Sequence, residues 1–237
     1  MQDTEGKDFM RWTTKKMFFI GNMVLFICAI LCLMFYDYKG GLWLKGVTSC
    51  WFVLLGGVNL VYARKCGVKF SLFMVLMELG LLCGVCADVL LGIEFPLGLF
   101  LFALGHVLYI IAFYTLEKFH IRDLLIIIPI AVLSMFLVTG TSYIQVKDPF
   151  MEKLLLGYAV IISCMLGKAV SNASVKVTAS RNLILLGSAL FLFSDLMLAI
   201  DFFGQTSRLV WILCAYTYWP AQILLAFALF YFVNEQS

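Results

Sequence analysis

Eight long apolar runs constrain the fold of this chain more than any other feature of its sequence. Each run is long enough to cross a hydrocarbon core of about 30 Å as a helix. The 237 residues are 63% hydrophobic, and their mean hydropathy of +1.01 is well above that of a soluble domain. The sequence therefore predicts an all-α, polytopic membrane helical bundle that forms a single domain over residues 1–237. The predicted helices span about 17–36, 42–62, 70–93, 96–116, 123–139, 151–170, 182–200 and 208–233.

The distribution of basic residues predicts how the bundle is oriented. No small-residue cleavage site follows the first apolar run, so residues 1–16 are interpreted as a cytoplasmic N-terminal segment and not as a removed signal peptide. Lysine and arginine then concentrate on alternate loops, around 64–69, 118–122 and 176–181. The positive-inside rule places both termini in the cytoplasm, in a bacterial cell membrane or an endomembrane. The net charge of +3 follows from this bias and indicates no nucleic-acid partner.

The cysteines and histidines do not predict a metal site. Most of the eight cysteines lie inside predicted spans, where cysteine commonly packs as a small apolar residue. Cys83 and Cys86 have the C-x-x-C spacing of redox and zinc sites, but they lie within a helix and lack a second pair. Of the two histidines, His106 and His120, the latter falls in a basic loop. The sequence predicts no metal and no cofactor.

Two nine-residue stretches, 107 positions apart, repeat nearly the same pattern. Residues 87–95 read ADVLLGIEF and residues 194–202 read SDLMLAIDF, so Asp88 and Asp195 each lie inside an apolar helix with a second acid and a phenylalanine at equal offsets. An ionisable residue within a span is costly, and a functional role is its default interpretation. An offset of four helices makes the third and seventh helices parallel. We hypothesise a parallel repeat of helices 2–4 and 6–8, with chance similarity of apolar segments as the alternative.

Other polar side chains are predicted at the depth of these two aspartates. Each aspartate lies about five residues from the outer end of its predicted helix, and Lys45 lies at the outer mouth of the second helix. The remaining candidates approach from the same outer side: His106, Tyr109, Tyr158, Tyr216, Tyr218 and Gln222. One outward-facing polar cavity is the functional interpretation. Structural roles are the alternatives: pairing or capping for the aspartates, snorkelling for Lys45 and packing for His106.

Several of these residues together resemble the YhhN family of lysoplasmalogenases. The resemblance rests on Lys45 in the second helix, DVLL after Ala87, residues 98–109 (GLFLFALGHVLY), Tyr158 in the sixth helix and residues 187–195 (GSALFLFSD). Each motif alone is weak, and their order and spacing over most of the chain make the match specific. The chain departs from the family pattern at Gly46, where proline is common, and at Ala87, where glycine is common.

The resemblance implies an ether hydrolase that acts on a lysophospholipid, cleaving the vinyl ether bond of a lysoplasmalogen to a fatty aldehyde and glycerophosphoethanolamine or glycerophosphocholine. Such cleavage needs a proton donor, a stabilising anion and a positioned water. Two carboxylates in a low-dielectric cavity can supply these functions, because burial and mutual repulsion favour the protonated form of one and leave the other ionised. We hypothesise that Asp88 and Asp195 are the catalytic pair, with the choice of acid and base left open, and that the other candidates orient them or bind substrate.

Two other classes of function fit the same sequence. A lipid or small-molecule transporter or receptor would use the paired aspartates to relay protons or bind a cation. The four prolines, expected mostly at or near span ends, argue against it, since transporters commonly use interrupted helices. A packing or assembly subunit is the third class. Membrane lipids are the predicted surroundings, and the oligomeric state is not predicted.

Overall fold

The computed structural model describes the backbone of residues 2–204 and 206–236, and the side chains of residues 12–37, 39–204 and 206–236. Within these residues it contains eight helices and no strand, which confirms the predicted all-α class and helix count. All eight are long and apolar enough to span a membrane, so the protein is a multi-pass integral membrane protein. The helices are α1 Gln2–Lys39, α2 Leu42–Lys65, α3 Leu72–Leu91, α4 Phe95–Leu116, α5 Ile121–Thr139, α6 Pro149–Val175, α7 Ala179–Phe203 and α8 Arg208–Gln236.

Several helices begin or end at residues other than the predicted ones. The predictions followed the apolar runs, whereas the observed ends depend on capping residues and on helices that continue into polar sequence. α1 begins at Gln2, so the helix runs through most of the predicted N-terminal segment 1–16; residue 1 and the side chains of residues 2–11 lie outside the described residues. The Asp148 side chain accepts from the first backbone N–H groups of α6 and starts that helix at Pro149. Pro129 and Pro220 lie inside α5 and α8, away from the span ends. The expectation for these two prolines was therefore wrong.

Short loops make consecutive helices antiparallel. Gly40 and Gly41 have φ of 70° and 99°, a region that glycine adopts readily, and they reverse the chain between α1 and α2. Gly41, Gly92 and Phe202 border one cavity, so the α1–α2, α3–α4 and α7–α8 connections share one end of the bundle, which we call the first-loop end. The loops 66–71, 117–120 and 176–178 lie at the other end with the C-terminus, which we call the terminal end.

Six helices form a closed ring in the order α2, α3, α4, α6, α7 and α8, and each packs against its neighbours in that order. α1 packs on the outside of α2, and α5 packs on α6. The contacts within α1–α4 resemble those within α5–α8, and α2 contacts α8 just as α6 contacts α4. A duplication of a four-helix unit would give this contact pattern. Such a unit would contain the predicted repeat of helices 2–4 and 6–8 and also α1 and α5.

The outer helices present apolar side chains away from the protein. On α5, the side chains of Leu125 and Leu133 are 70% and 58% exposed. Only a bilayer satisfies such a surface, because water would make this exposed apolar area unfavourable. By contrast, α8 contributes many of the fully buried residues and packs against three helices besides α7.

Buried charges join the helices at the terminal end. Lys168 on α6 donates to Asp123 on α5 at 2.9 Å and to the backbone carbonyl of Lys118 at 3.0 Å, and Lys168 and Asp123 are both inaccessible. Ser171 donates to the other oxygen of Asp123. Arg181 donates to Glu117 at 2.8 Å, and this hydrogen bond holds the pKa of the Glu117 carboxyl below its ordinary value. These contacts fix the α4–α5 connection against α6 and α7.

Candidate active site

A polar cavity of about 350 Å³ opens at the first-loop end of the bundle. Asp88 of α3 and Asp195 of α7 both line it, together with side chains from α1, α2, α4 and α8. Among the aromatic residues around it are Tyr36, Trp211 and Trp219. The two aspartates of the repeated pattern therefore border one common space, as a shared cavity requires.

Asp88 is surrounded by hydrogen-bond donors. Lys45 on α2 lies 3.2 Å from Oδ1 of Asp88. Ser49, one turn further along α2, donates to Oδ2 at 2.5 Å, and Tyr218 on α8 donates to the same oxygen at 2.7 Å. Asp88 itself is only 1% exposed. A buried carboxylate is tolerated when it is paired and fully hydrogen-bonded, and this arrangement supplies both conditions.

The Ser49 and Tyr218 hydroxyls that donate to Asp88 each accept a hydrogen bond from a group that can only donate. The indole Nε1 of Trp219 donates to Ser49 Oγ at 3.2 Å, and the amide Nε2 of Gln222 donates to Tyr218 at 3.4 Å. With the Gln222 amide in this orientation, the indole N–H and the amide NH₂ have no acceptor role, which leaves the hydroxyl protons of Ser49 and Tyr218 to point at Asp88. Oδ2 of Asp88 is thus an acceptor of two hydrogen bonds, as a carboxylate is.

Tyr109 extends this arrangement and depends on close packing between helices. Its hydroxyl donates to Gln222 Oε1 at 2.9 Å, which fixes the amide so that Nε2 faces Tyr218. Gly84 on α3 makes room for the amide, since a Cβ built there would lie 2.5 Å from Gln222 Nε2. Gly80 makes room for the Tyr109 ring in the same way, since a Cβ built at Gly80 would lie 2.4 Å from Cε1 of that ring. Glycine at both positions lets α3 approach α4 and α8.

Asp195 has a different environment, made by α6 and α4. Tyr158 forms a short hydrogen bond with Oδ2, and His106 Nε2 lies 3.4 Å from the same oxygen. His106 Nε2 and the Tyr158 hydroxyl are 2.8 Å apart. Within the described residues, Oδ1 of Asp195 accepts no hydrogen bond. The Asp195 side chain is 8% exposed, and it borders the cavity.

His106 can exchange roles with Tyr158. Its Nδ1 is buried and has no hydrogen-bond partner among the described residues, so no fixed contact selects one tautomer. When His106 is doubly protonated, its Nε2 donates to Tyr158, and Tyr158 donates to the Asp195 carboxylate. When the proton is on Asp195, His106 is neutral with its remaining proton on Nδ1, and both hydrogen bonds reverse. The trio of Asp195, Tyr158 and His106 can therefore hold one proton at either end.

Aromatic rings separate the two aspartate clusters. Phe191 lies edge-on to His106, with ring centroids 4.6 Å apart, and edge-on to Tyr218 at 5.3 Å. Phe102 contacts the Tyr218 ring at 5.7 Å and also lines the cavity. Contacts of this kind restrict the rings of the hydrogen-bonding residues to a narrow set of orientations.

A second cavity, of about 60 Å³, lies on the other side of Asp195 between α4, α5, α6 and α7. Its lining is largely apolar, with Leu99, Leu137 and Leu155 among its members, and Ser134, Tyr158 and Asp195 are its polar residues. Asp195 and Leu198 border both spaces. We call this second space the apolar cavity and the larger one the polar cavity.

Most of the predicted site residues come together, and one does not. Lys45, Tyr218, Gln222 and Tyr109 connect to Asp88, and His106 and Tyr158 connect to Asp195. Tyr216 faces elsewhere, and its hydroxyl donates to Asp37 at 3.4 Å. Residues two apart on a helix point about 160° away from each other, so Tyr216 and Tyr218 lie on opposite faces of α8.

The two aspartates also differ in their distance from the helix ends. Asp88 lies three residues before α3 ends at Leu91, whereas Asp195 lies eight residues before α7 ends at Phe203. The predicted equal spacing of about five residues is therefore not observed. The reason is that α7 continues through Asp201 and Phe202, which the apolar pattern assigned to a loop.

Ser49 and Trp219 belong to the site and were not predicted from the sequence. Ser49 lies four residues after Lys45 and therefore on the same face of α2, so helical spacing could have identified it. Trp219 offers no such signal, because its indole reaches Ser49 from another helix.

Comparisons with known proteins give one positive result. A family model described as the YhhN family matches residues 49–229, which is most of the chain. The searches of curated proteins and of solved structures found no match. The matched range includes both aspartates and every residue of their two clusters except Lys45, which precedes it by four positions. The chain belongs to the YhhN family.

Proposed function

We propose that this protein is a lysoplasmalogenase-like hydrolase. It cleaves the vinyl ether bond of a lysoplasmalogen and releases a fatty aldehyde and a glycerophosphoethanolamine or glycerophosphocholine. The observation that carries the proposal is that two intramembrane aspartates line one cavity with opposite hydrogen-bond environments. Family membership and location in the bilayer, where the substrate resides, support the same assignment.

In the proposed mechanism Asp88 remains a carboxylate. The Lys45 ammonium and the hydroxyl protons of Ser49 and Tyr218 stabilise its negative charge. A fixed anion at the cavity wall stabilises a cationic transition state without reorganising during the reaction. Asp88 therefore lowers the energy of the oxocarbenium ion and attracts the water that captures it.

Asp195 is the proposed general acid. Its side chain borders the cavity, and its Oδ1 accepts no hydrogen bond from the described residues. The Tyr158–His106 pair stabilises the carboxylate that forms when Asp195 gives up its proton. Asp195 protonates the alkene carbon that is not bonded to the ether oxygen. This breaks the C=C π bond and leaves an oxocarbenium ion. Water adds to the cationic carbon and gives its extra proton back to the Asp195 carboxylate. The resulting hemiacetal then breaks its C–O bond to the glycerol oxygen, giving an alcohol and an aldehyde, with one water consumed overall.

The test is aldehyde release from purified protein. A mixture of lysoplasmalogens, ester lysophospholipids and alkyl ether lysophospholipids is incubated with the protein, and products are identified by mass spectrometry. We expect aldehyde from the vinyl ether lipids alone. Asp195→Asn should lower kcat by about 10²- to 10⁴-fold, the usual contribution of a general acid. Asp88→Asn should also abolish most turnover.

Glu94→Gln is the matched control, because Glu94 is an exposed acid outside both clusters. It should retain wild-type turnover. Full activity of both aspartate variants would contradict the proposed mechanism. Uptake of lipid into proteoliposomes with no product would contradict the hydrolase and favour a transporter.

A further inference from the structure

Asp195 and Leu198 lie at the junction of two cavities, one that carries several charged side chains and one that is largely apolar. We propose that a bound lysolipid lies across this junction, with its glycerophospho head group in the polar cavity and the first part of its hydrocarbon chain in the apolar cavity. This inference rests on the proposed function and deepens it by giving the orientation of the substrate.

The two cavities draw on different sets of helices. Side chains of α1, α2, α3, α4, α7 and α8 line the polar cavity, and side chains of α4, α5, α6 and α7 line the apolar cavity. α7 contributes Asp195 and Leu198 to both linings. Of the two aspartates, only Asp195 therefore lies beside the apolar cavity in the described part of the chain.

The linings set which part of a lipid each cavity accepts. The polar cavity carries Lys45, Asp88 and Asp201 with the rings of Tyr36 and Trp211. These groups can hydrogen-bond or pair with a phosphate and an ammonium. A charged head group would lose its hydration without compensation in the apolar cavity, and that loss is prohibitive. A hydrocarbon chain gains free energy from apolar contact alone, so it fits the apolar cavity.

This orientation brings the reacting bond to Asp195. The vinyl ether joins the glycerol oxygen to the chain, so it lies where head group and chain meet. Asp195 is the one of the two aspartates that borders both cavities in the described part of the chain, whereas Asp88 borders the polar cavity. The alkene carbon that accepts the proton, on the chain side, would therefore lie next to Asp195. The glycerol side would lie nearer to Asp88.

The first experiment locates the chain without any turnover. A 1-O-alkyl lysophosphatidylethanolamine with a diazirine early in its alkyl chain has no vinyl ether and stays intact in the site. Cross-links to the full-length protein are mapped by mass spectrometry after irradiation. We expect labels on the α5 and α6 residues that line the apolar cavity, such as Leu137, Val138 and Ile162. Labels on Trp211 or Ala215 of the polar cavity would overturn the inference, and so would labels confined to the lipid-facing side of α5.

A pair of alanine variants provides the second test. Ala159 lines the apolar cavity and Ala215 lines the polar cavity, and both are buried on helices. Ala159→Leu should fill part of the apolar cavity, abolish the cross-links to α5 and α6, and raise KM more for long-chain than for short-chain lysoplasmalogens. Ala215→Leu should keep the cross-link positions and impair binding independently of chain length. Equal chain-length profiles in the two variants would contradict the inference, and melting temperatures check that both fold.

The two proposals fail in different ways. If the protein releases no aldehyde while the alkyl ether probe labels α5 and α6, the reaction is wrong and the orientation stands. If aldehyde is released while the probe labels the polar cavity, the reaction stands and the orientation is wrong.

Discussion

Asp88 and Asp195 differ in the groups that surround them, and this difference determines what each carboxyl can do. Asp88 accepts hydrogen bonds from two hydroxyls, which in turn accept hydrogen bonds from Trp219 and Gln222. Asp195 shares a proton with groups whose hydrogen bonds can reverse. One carboxyl is therefore held as an acceptor, and the other can both give and take a proton.

Gly84 offers a test of how finely Asp88 is positioned. In Gly84→Ala the new methyl group must displace the Gln222 amide, which would otherwise lie 2.5 Å away. The amide is the flexible end of a side chain, so we expect a small change in stability. Loss of the fixed Tyr218 orientation should lower kcat by about 10- to 100-fold, because small misplacements at a site are costly.

Gly21→Ala is the control for this variant, because a Cβ there contacts nothing within 4 Å. Both variants are measured for melting temperature in detergent and for aldehyde release. Activity of Gly84→Ala equal to that of Gly21→Ala would show that the amide does not position the site.

At the scale of the helices, the Lys168–Asp123 pair attaches α5 to the rest of the bundle. α5 packs mainly on α6, and both charges are inaccessible. Removing one member leaves an uncompensated buried charge, so Lys168→Met should destabilise the protein by about 3–5 kcal/mol. The measurement is the free energy of unfolding from a denaturant titration in mixed micelles.

The double variant Lys168→Met with Asp123→Asn should recover part of this loss, because no unpaired charge remains. Equal stability of the single and double variants would contradict the explanation. Since α5 also bounds the apolar cavity, the single variant should lower the affinity for lipid as α5 detaches.

The Glu117–Arg181 pair predicts a pH dependence of stability. Hydrogen bonding to Arg181 lowers the pKa of Glu117 below its ordinary value of 4.5, so the folded state favours the ionised carboxyl. The stabilisation is therefore present above pH 4.5 and is lost as the pH falls through the lower pKa of the folded state. The melting temperature of Glu117→Gln should be below that of the wild type at neutral pH, and the two should converge in acid. A constant difference across this range would contradict the assignment.

At the scale of the whole molecule, the distribution of basic loops predicts that the terminal end faces the cytoplasm. The polar cavity would then open on the opposite side of the membrane. A fluorescent protein that folds only in the cytoplasm, fused to the C-terminus in a bacterial host, should fluoresce. Alkaline phosphatase fused at the same position should be inactive. The reverse pair of results would place the cavity mouth on the cytoplasmic side.

The fold follows closely from the sequence because membrane crossing depends on local composition. An apolar run of sufficient length must form a helix in the bilayer, since the backbone has no other hydrogen-bond partners there. All eight helices were predicted for this reason. The predicted helix ends were less accurate. Hydropathy does not indicate that Asp148 caps α6 or that α7 continues through Asp201.

The sequence alone determined that this chain spans the membrane eight times and that Asp88 and Asp195 are its exceptional residues. Charge in an apolar helix is costly whatever the surrounding structure, so it is visible in the sequence itself. Only the tertiary structure decided which groups meet each aspartate, that Tyr216 faces away, and that Asp195 borders both a polar and an apolar cavity. These facts depend on the rotation and contact of helices far apart in the chain, and apolar residues of similar hydropathy do not encode which face of a helix packs against which neighbour.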